Sequence, residues 1–301
     1  MSSTLIWLLT LFFVFRKACA CVLPSEWDGL MYDSRKGDVM LNHAASNVQS
    51  GWNLTSYSST VTSWTCVEHS GDVYLFSGDQ GIDVFGALHA GYLCLNVTEI
   101  TEKSFYYQII ADEQVNAGNE RAIVVPTGTI VTIANHCSAN NTPGAEEFHV
   151  ILKPGNLTAT KQYCADPFLG TFTYSHNTGS TETCGSNSQV DVCEDRTTMK
   201  FNYSLCSTEQ GFSQEGILYC VYYTQSGSVY YNLVINPGTL GAGHQRFTCY
   251  AVASNGGQVF ASDDAGSCAK GQNPYNKTTD GSGILVMQPL VLCRKYDQNQ
   301  Y

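Results

Sequence analysis

The segment EEFHV, residues 146–150, carries the two side chains best placed for proton chemistry. Glu147 and His149 are two residues apart, and side chains alternate along an extended strand, so both fall on one face. A carboxylate beside an imidazole can exchange protons or contribute to a metal site. Either task needs a third converging group, and none adjoins the pair in sequence, so an ordinary solvent-facing pair is the expectation. His43, His69, His89, His136, His176 and His244 show no ligand spacing. Two aspartate-bearing segments, ASDDAGS (261–267) and TTDGSG (278–283), lack the regular oxygen ladder of a tight calcium loop. They read as turns, and weak calcium binding at millimolar extracellular levels is the most they imply. The sequence has no Gly-x-Ser-x-Gly elbow, His-Glu-x-x-His helix or glycine-rich phosphate loop. No catalytic residue, metal site or cofactor is expected.

The cysteines point to structure rather than chemistry. Residues 1–20 read as a signal peptide, with the apolar run LIWLLTLFFVF at 5–15 and a small-x-small ACA site at 18–20. Arg16 and Lys17 follow the apolar run instead of preceding it, which leaves an uncleaved anchor as the alternative. Cleavage after Ala20 removes Cys19 and leaves an even set: Cys21, Cys66, Cys94, Cys137, Cys164, Cys184, Cys193, Cys206, Cys220, Cys249, Cys268 and Cys293. Even parity suits complete pairing in an oxidising compartment. Six sequons, at Asn53, Asn96, Asn140, Asn156, Asn202 and Asn276, offer glycan acceptors along the same route.

No later apolar segment is long enough for a membrane anchor. ILVMQPLVLC (284–293) contains Pro289 and runs into the polar tail RKYDQNQY, which also lacks the form of a glycolipid-anchor signal. A secreted, extracellular product is expected. The 26 acidic residues outnumber the 15 basic ones, which argues against nucleic acid as a partner because phosphate binding needs basic patches. Scattered acids read first as a solvated surface, with weak attraction to cations.

The positioning elements are strands. VYLF (73–76), SFYYQII (104–110) and FHVIL (148–152) are short, aromatic and β-branched, and bounded by turn residues. IVVPTGTIVTI (123–133) reads as two strands around a Pro-Thr-Gly turn. LYCVYYTQSGSVYYNLVI (218–235) and CYAVASNGGQVFA (249–261) read as hairpins. Strict alternation would send Tyr219, Val221 and Tyr223 to one face and Cys220 and Tyr222 to the other. Cross-strand pairing is the first reading of these tyrosines, and exposed tyrosines for protein or sugar contact the second.

One motif occurs twice. CVLPSEWDGLMY places Cys21, Pro24, Trp27 and Gly29 before Tyr32, and CADPFLGTF places Cys164, Pro167, Phe168 and Gly170 before Phe172. Repetition at this distance implies two related units of ordinary domain size. The sequence therefore predicts an all-β protein of two tandem disulfide-bonded β-sandwich or barrel-like modules. The leader occupies 1–20, an N-terminal β module 21–160 and a C-terminal cysteine-rich β module 161–301. Four cysteines fall in the first module and eight in the second, so each can close its own bridges, with the connectivity open.

The run Cys-x-x-Pro-Phe-x-Gly-x-Phe-Thr-Tyr from Cys164, with Cys184, DVCED (191–195), Cys206, LYC (218–220) and RFTCY (246–250), resembles a family of invertebrate secreted or membrane-tethered ectodomain proteins of unknown function. Its members also carry a preceding Cys-x-x-Pro…Trp-x-Gly-x-Trp module, which Cys21, Pro24, Trp27 and Gly29 match. Met31 and Tyr32 depart from it where a second tryptophan would stand. The resemblance implies an extracellular, cysteine-rich, tandem-module architecture and no catalytic residues.

Three functions are set against one another. The first is a non-enzymatic glycoprotein that binds an extracellular protein or glycan, or builds a matrix, including a mineralised one. The Trp-x-Gly entry also resembles that of lipocalin-type barrels, and a carrier of this kind would hold a small apolar ligand in a cavity around Trp27 or Phe172. A secreted enzyme would need a cleft at Glu147 and His149. The first is the expectation.

Overall fold

The computed structural model describes residues 21–179, 181–202, 211, 213, 215–241 and 243–293. The leader, Cys206 and the polar tail lie outside them. Eight strands form the first unit: β1 (Gly29–Asp33), β2 (Gly37–Asn42), β3 (Asn47–Ser50), β4 (Trp64–Ser70), β5 (Val73–Gly78), β6 (Ala87–Thr101), β7 (Ser104–Ile109) and β8 (His149–Leu152). Each pairs antiparallel with the next, and β8 returns to β1. The second unit repeats this order with β9 (Gly170–Asn177), β10 (Glu182–Asp191), β11 (Thr198–Phe201), β12 (Ile217–Ser226), β13 (Val229–Ile235), β14 (Phe247–Asn255), β15 (Gln258–Ala265) and β16 (Ile284–Leu292). It closes through β16 onto β9. The protein is thus two tandem up-and-down barrels, each closed by pairing its last strand with its first.

Both barrels are filled. Alternation along β1 turns Met31 and Asp33 inward, and the first interior is packed with Trp27, Trp52, Trp64, Phe76, Phe105 and Tyr107. Trp27 meets Trp52 and Phe105 edge-on, at centroid separations of 6.4 and 5.7 Å. Each such pair adds about 0.5–1.5 kcal/mol beyond simple burial. Phe168, Phe172, Tyr174, Met199, Tyr250 and Met287 fill the second interior.

The repeated motif does the same work in each barrel. Trp27 and Phe168 are fully buried plugs, and Gly29 and Gly170 are the first residues of β1 and β9. Gly170 is required by close approach, because a Cβ there would lie 2.6 Å from the Phe172 ring. Cys21 is bridged to Cys66 on β4, and Cys164 to Cys220 on β12, the fourth strand of each barrel. Cys94 on β6 is bridged to Cys137 between β7 and β8, and Cys249 on β14 to Cys268 between β15 and β16. Two bridges therefore occupy equivalent places in both barrels, which is the pattern a duplicated unit leaves. The second barrel adds Cys193–Cys293, and Cys184 is also disulfide-bonded.

Two sequence expectations need correction. Of IVVPTGTIVTI only Ile123–Pro126 is a strand, paired with the start of β6. Past Gly128 the chain turns away into a single helical turn, Ile133–His136, leaving Ile130 exposed. The tyrosine alternation also breaks, because Cys220 faces Val234 while Tyr222 faces Leu233. Val221 is the extra residue of a β-bulge, which resets the faces. Tyr219, Val221 and Tyr222 consequently all point out, while Cys220 and Tyr223 pack with the barrel interior.

That bulged face is where the barrels meet. Phe148, Val150 and Leu152 of the first barrel share one apolar cluster with Val221, Tyr231, Leu233 and Phe247 of the second. Tyr222 stacks on Tyr106 at 4.4 Å and meets Phe148 edge-on at 5.3 Å. Thr224 Oγ1 donates to the Ala145 carbonyl at 2.7 Å. Tyr222→Ala is expected to cost about 1–3 kcal/mol and to split one calorimetric unfolding transition into two. A single unshifted transition would contradict a coupled pair of barrels.

Candidate functional site: a cleft between the barrels

The turn after β1 starts the site. Asp33 is buried and directs one carboxylate oxygen, Oδ1, to the backbone N–H groups of Arg35 and Lys36 at 2.7 and 3.0 Å. Its Oδ2 accepts from Trp52 Nε1 at 2.8 Å and from the Tyr107 hydroxyl at 2.7 Å. Burial and the neighbouring Asp33 carboxylate push the Tyr107 phenol well above its usual range, so it stays a donor. This lock fixes the turn and places Arg35 and Lys36 at the cleft.

The facing wall is a small hairpin, Glu113–Gln114 paired with Glu120–Arg121, whose return needs Asn119 at φ +62°. Asparagine tolerates that left-handed conformation better than most residues. Glu120 accepts from Arg35 Nη1 at 3.0 Å and Lys36 Nζ at 2.7 Å. Arg121, itself buried, forks onto Glu147 through Nε and Nη2 at 2.7 and 2.9 Å. Its Nη1 donates to the carbonyls of Ala111 and Asn141. Burial pushes the Glu147 carboxyl up, but the Arg121 fork and the Gly144 N–H outweigh it and hold the group below the usual carboxylate range.

His149 opens β8 and bonds through Nδ1 to Ser267 Oγ of the second barrel at 2.8 Å. Ser267 also meets Ser34 Oγ at 2.8 Å, and Ser34 Oγ accepts from the Val150 N–H. Burial, then the charges of Arg35 and Lys36, push the imidazole well below its ordinary value, so it is neutral at pH 7. From the second barrel, Lys270 pairs with Glu113 and the Gly271 N–H with Glu146. Arg35, Lys36, Glu120, Arg121, Glu147, His149 and Lys270, with Ile109, Asn119 and Cys268, line an open cleft of about 320 Å³.

The expected pair, Glu147 and His149, does line one cleft, but not as neighbours on a strand: Glu147 precedes β8 and belongs to Arg121. A neutral imidazole bonded to a hydroxyl is the pairing that nucleophilic catalysis uses. Here the serine is tied to a second serine, and the nearby carboxylate is bonded to an arginine. Asp33, Ser34, Arg35, Arg121 and Ser267 were not singled out from the sequence. The legible signal was the Asp-Ser-Arg-Lys turn after β1, where an aspartate precedes amides it can cap.

The two aspartate segments come together elsewhere. Asp263 accepts from Ser282 Oγ and from the Gly283 N–H, and Asp264 from Thr278 Oγ1 at 2.5 Å. Among the described residues no group of three His, Cys, Asp or Glu side chains is placed to hold a metal ion. Burial, with Asp280 and Asp263 nearby, raises the Asp264 carboxyl to about 6. A raised carboxyl favours the fold below the unfolded value near 4, and that contribution is lost as pH rises through 6. Asp264→Asn, which keeps the acceptor, should therefore raise stability at pH 7.5 by about 1–3 kcal/mol and have little effect at pH 4. Equal effects at both pH values in urea unfolding would contradict this.

Asn53, Asn140, Asn156, Asn202 and Asn276 are exposed, and Asn96 is half-buried on β6. No helix among the described residues is long and apolar enough to cross a membrane.

Fold and site define a disulfide-braced pair of filled eight-stranded barrels with a charged cleft at their junction. Residues 160–282 match a family described as a domain of unknown function, DUF7042. The match begins just before Cys164 and ends short of β16. No curated protein matches the chain.

Proposed function

We propose that this is a secreted glycoprotein that acts by binding through its outer surface, as a ligand of extracellular protein or glycan or as a matrix component, and not by catalysis. The observation that carries this reading is that aromatic side chains occupy both barrel interiors. Trp27 and Phe172, where a carrier would need room, are fully buried. Of the residues lining the four described cavities, only Ile109 belongs to a barrel core. The bridges and the exposed sequons suit an extracellular setting, and the acidic excess suits a hydrated or mineral-bearing matrix. The tandem Cys-x-x-Pro modules and their likeness to invertebrate ectodomain proteins support the same reading.

Trp27, Trp52 and Trp64 are the tryptophans beyond the leader and all lie inside the first barrel. Acrylamide should quench their fluorescence poorly, and adding palmitate should leave it unchanged. Saturable quenching by palmitate would overturn surface binding in favour of a carrier.

A further inference from the structure

Strands that alternate in direction send the β3–β4, β5–β6 and β7–β8 connections to one end of the first barrel. There Leu54–Ser56 pairs with Ser59–Val61, and Ile82–Val84 with the start of β6. Leu54, Val61 and Ile82 reach the core, so both hairpins are anchored inward. Their two-residue turns begin at Tyr57 and Phe85, with φ of +54° and +53°. That position favours glycine, asparagine or aspartate, and a bulky ring there is strained. Burial does not offset the strain at Phe85, which is 92% exposed. A strained residue held on display points to a use outside the fold.

The two rings meet edge-on at 5.3 Å. A third tip joins them, because the Tyr57 N–H donates to the Asn116 carbonyl at 3.1 Å and Asn116 Nδ2 to the Tyr57 hydroxyl at 2.8 Å. Val115, next to Asn116, is 80% exposed, and Leu88, across the hairpin from Asp83, is 60% exposed. Tyr57, Phe85, Leu88 and Val115 line none of the four described cavities, so the patch is convex. Among residues 56–59, 82–88 and 114–119 Asp83 alone is charged, and its Oδ1 accepts from the Gly86 N–H at 2.7 Å.

Convexity and neutrality narrow the occupant. Two copies meeting through these four side chains would bury at most roughly 600 Å² each, short of the about 800 Å² per partner that a stable dimer needs. A rigid partner would have to supply the groove, whereas a lipid surface deforms around a protruding tip. The tip has no lysine or arginine and the chain is acidic, so anionic lipid gains nothing here. Phe85, Leu88 and Val115 suit the acyl boundary, and Tyr57, with its bonded hydroxyl, suits the headgroup level. We propose that the tip formed by Tyr57, Phe85, Leu88 and Val115 docks reversibly on a zwitterionic lipid bilayer. This adds a partner class to the surface-binding reading and does not depend on it.

The probe is phosphatidylcholine vesicles, co-floated with the full secreted chain. The protein should float with them, and adding phosphatidylserine should not strengthen binding. Phe85→Asn, which suits the left-handed turn, should weaken binding at least about 10-fold without lowering the urea unfolding midpoint. Val115→Ser should weaken it by about 10-fold. Leu290→Ser, at an exposed leucine of the second barrel, should change nothing. Phe85→Trp places a tryptophan outside the barrel, and its emission should shift to the blue on adding vesicles. The proposal is overturned if the chain does not float, if phosphatidylserine drives the binding, or if Leu290→Ser weakens it as much as Phe85→Asn. It is also overturned if Phe85→Asn leaves lipid binding unchanged and abolishes self-association in ultracentrifugation, which would make the tip a contact between copies. Those failures leave the palmitate result on the three buried tryptophans untouched, so a wrong partner and a wrong mode of action are told apart.

Discussion

Asp33→Ala is expected to destabilise the first barrel by about 3–5 kcal/mol. The carboxylate accepts four hydrogen bonds: from the backbone of Arg35 and Lys36, from Trp52 Nε1 and from the Tyr107 hydroxyl. Truncation leaves the indole and phenol donors buried without a partner, at about 1–3 kcal/mol each. It also frees the turn that holds Arg35 and Lys36 at the cleft. Asp33→Asn keeps one acceptor but turns an amide N–H₂ toward a donor, so roughly half the loss should remain. Urea unfolding followed by tryptophan fluorescence reports this barrel directly, because the three tryptophans lie inside it. A loss below about 1 kcal/mol would show that the lock is not a determinant of the barrel.

Arg121→Met is expected to cost a similar amount, about 3–5 kcal/mol, for a different reason. Arg121 is buried and shares two parallel bonds with Glu147, which is itself largely buried. Without the arginine, Glu147 keeps its charge in a poorly solvated place, and the carbonyls of Ala111 and Asn141 lose their donor. The double variant Arg121→Met with Glu147→Gln should recover part of the loss, because it removes the stranded charge. If the double variant is no more stable than Arg121→Met alone, the cost comes from the lost packing and carbonyl bonds rather than from the ion pair. Since Glu113 links Arg121 to Lys270 of the second barrel, the single variant should also loosen the junction, visible as earlier separation of calorimetric transitions.

The all-β class and the tandem organisation were legible because they rest on local signals. The Cys-x-x-Pro…aromatic-x-Gly motif announces the first strand of each barrel, since Trp27 and Phe168 need only a nearby glycine to enter the core. The short aromatic runs became strands β5, β7 and β8 within a residue or two of where their turn residues end them. Closure into barrels, rather than sandwiches, was not legible, because it depends on pairing β8 with β1 and β16 with β9 across a whole module. The bulge at Val221 was invisible for a related reason: its cause is the register against β13, not the composition of β12. The cleft was half legible. Glu147 and His149 drew attention as a pair, but Arg35, Arg121, Ser267 and Lys270 come from turns far apart in sequence, and only the packing of the barrels gathers them.

The proposed surface binding by filled barrels contrasts sharply with open barrels that carry a ligand within. The most direct test is native mass spectrometry of the protein secreted from animal cells, before and after glycan removal and denaturation. The expected result is a glycosylated chain beginning at Cys21, with twelve oxidised cysteines and no apolar mass retained. A stoichiometric apolar molecule that stays with the native chain and is lost on denaturation would contradict surface binding and make the protein a carrier.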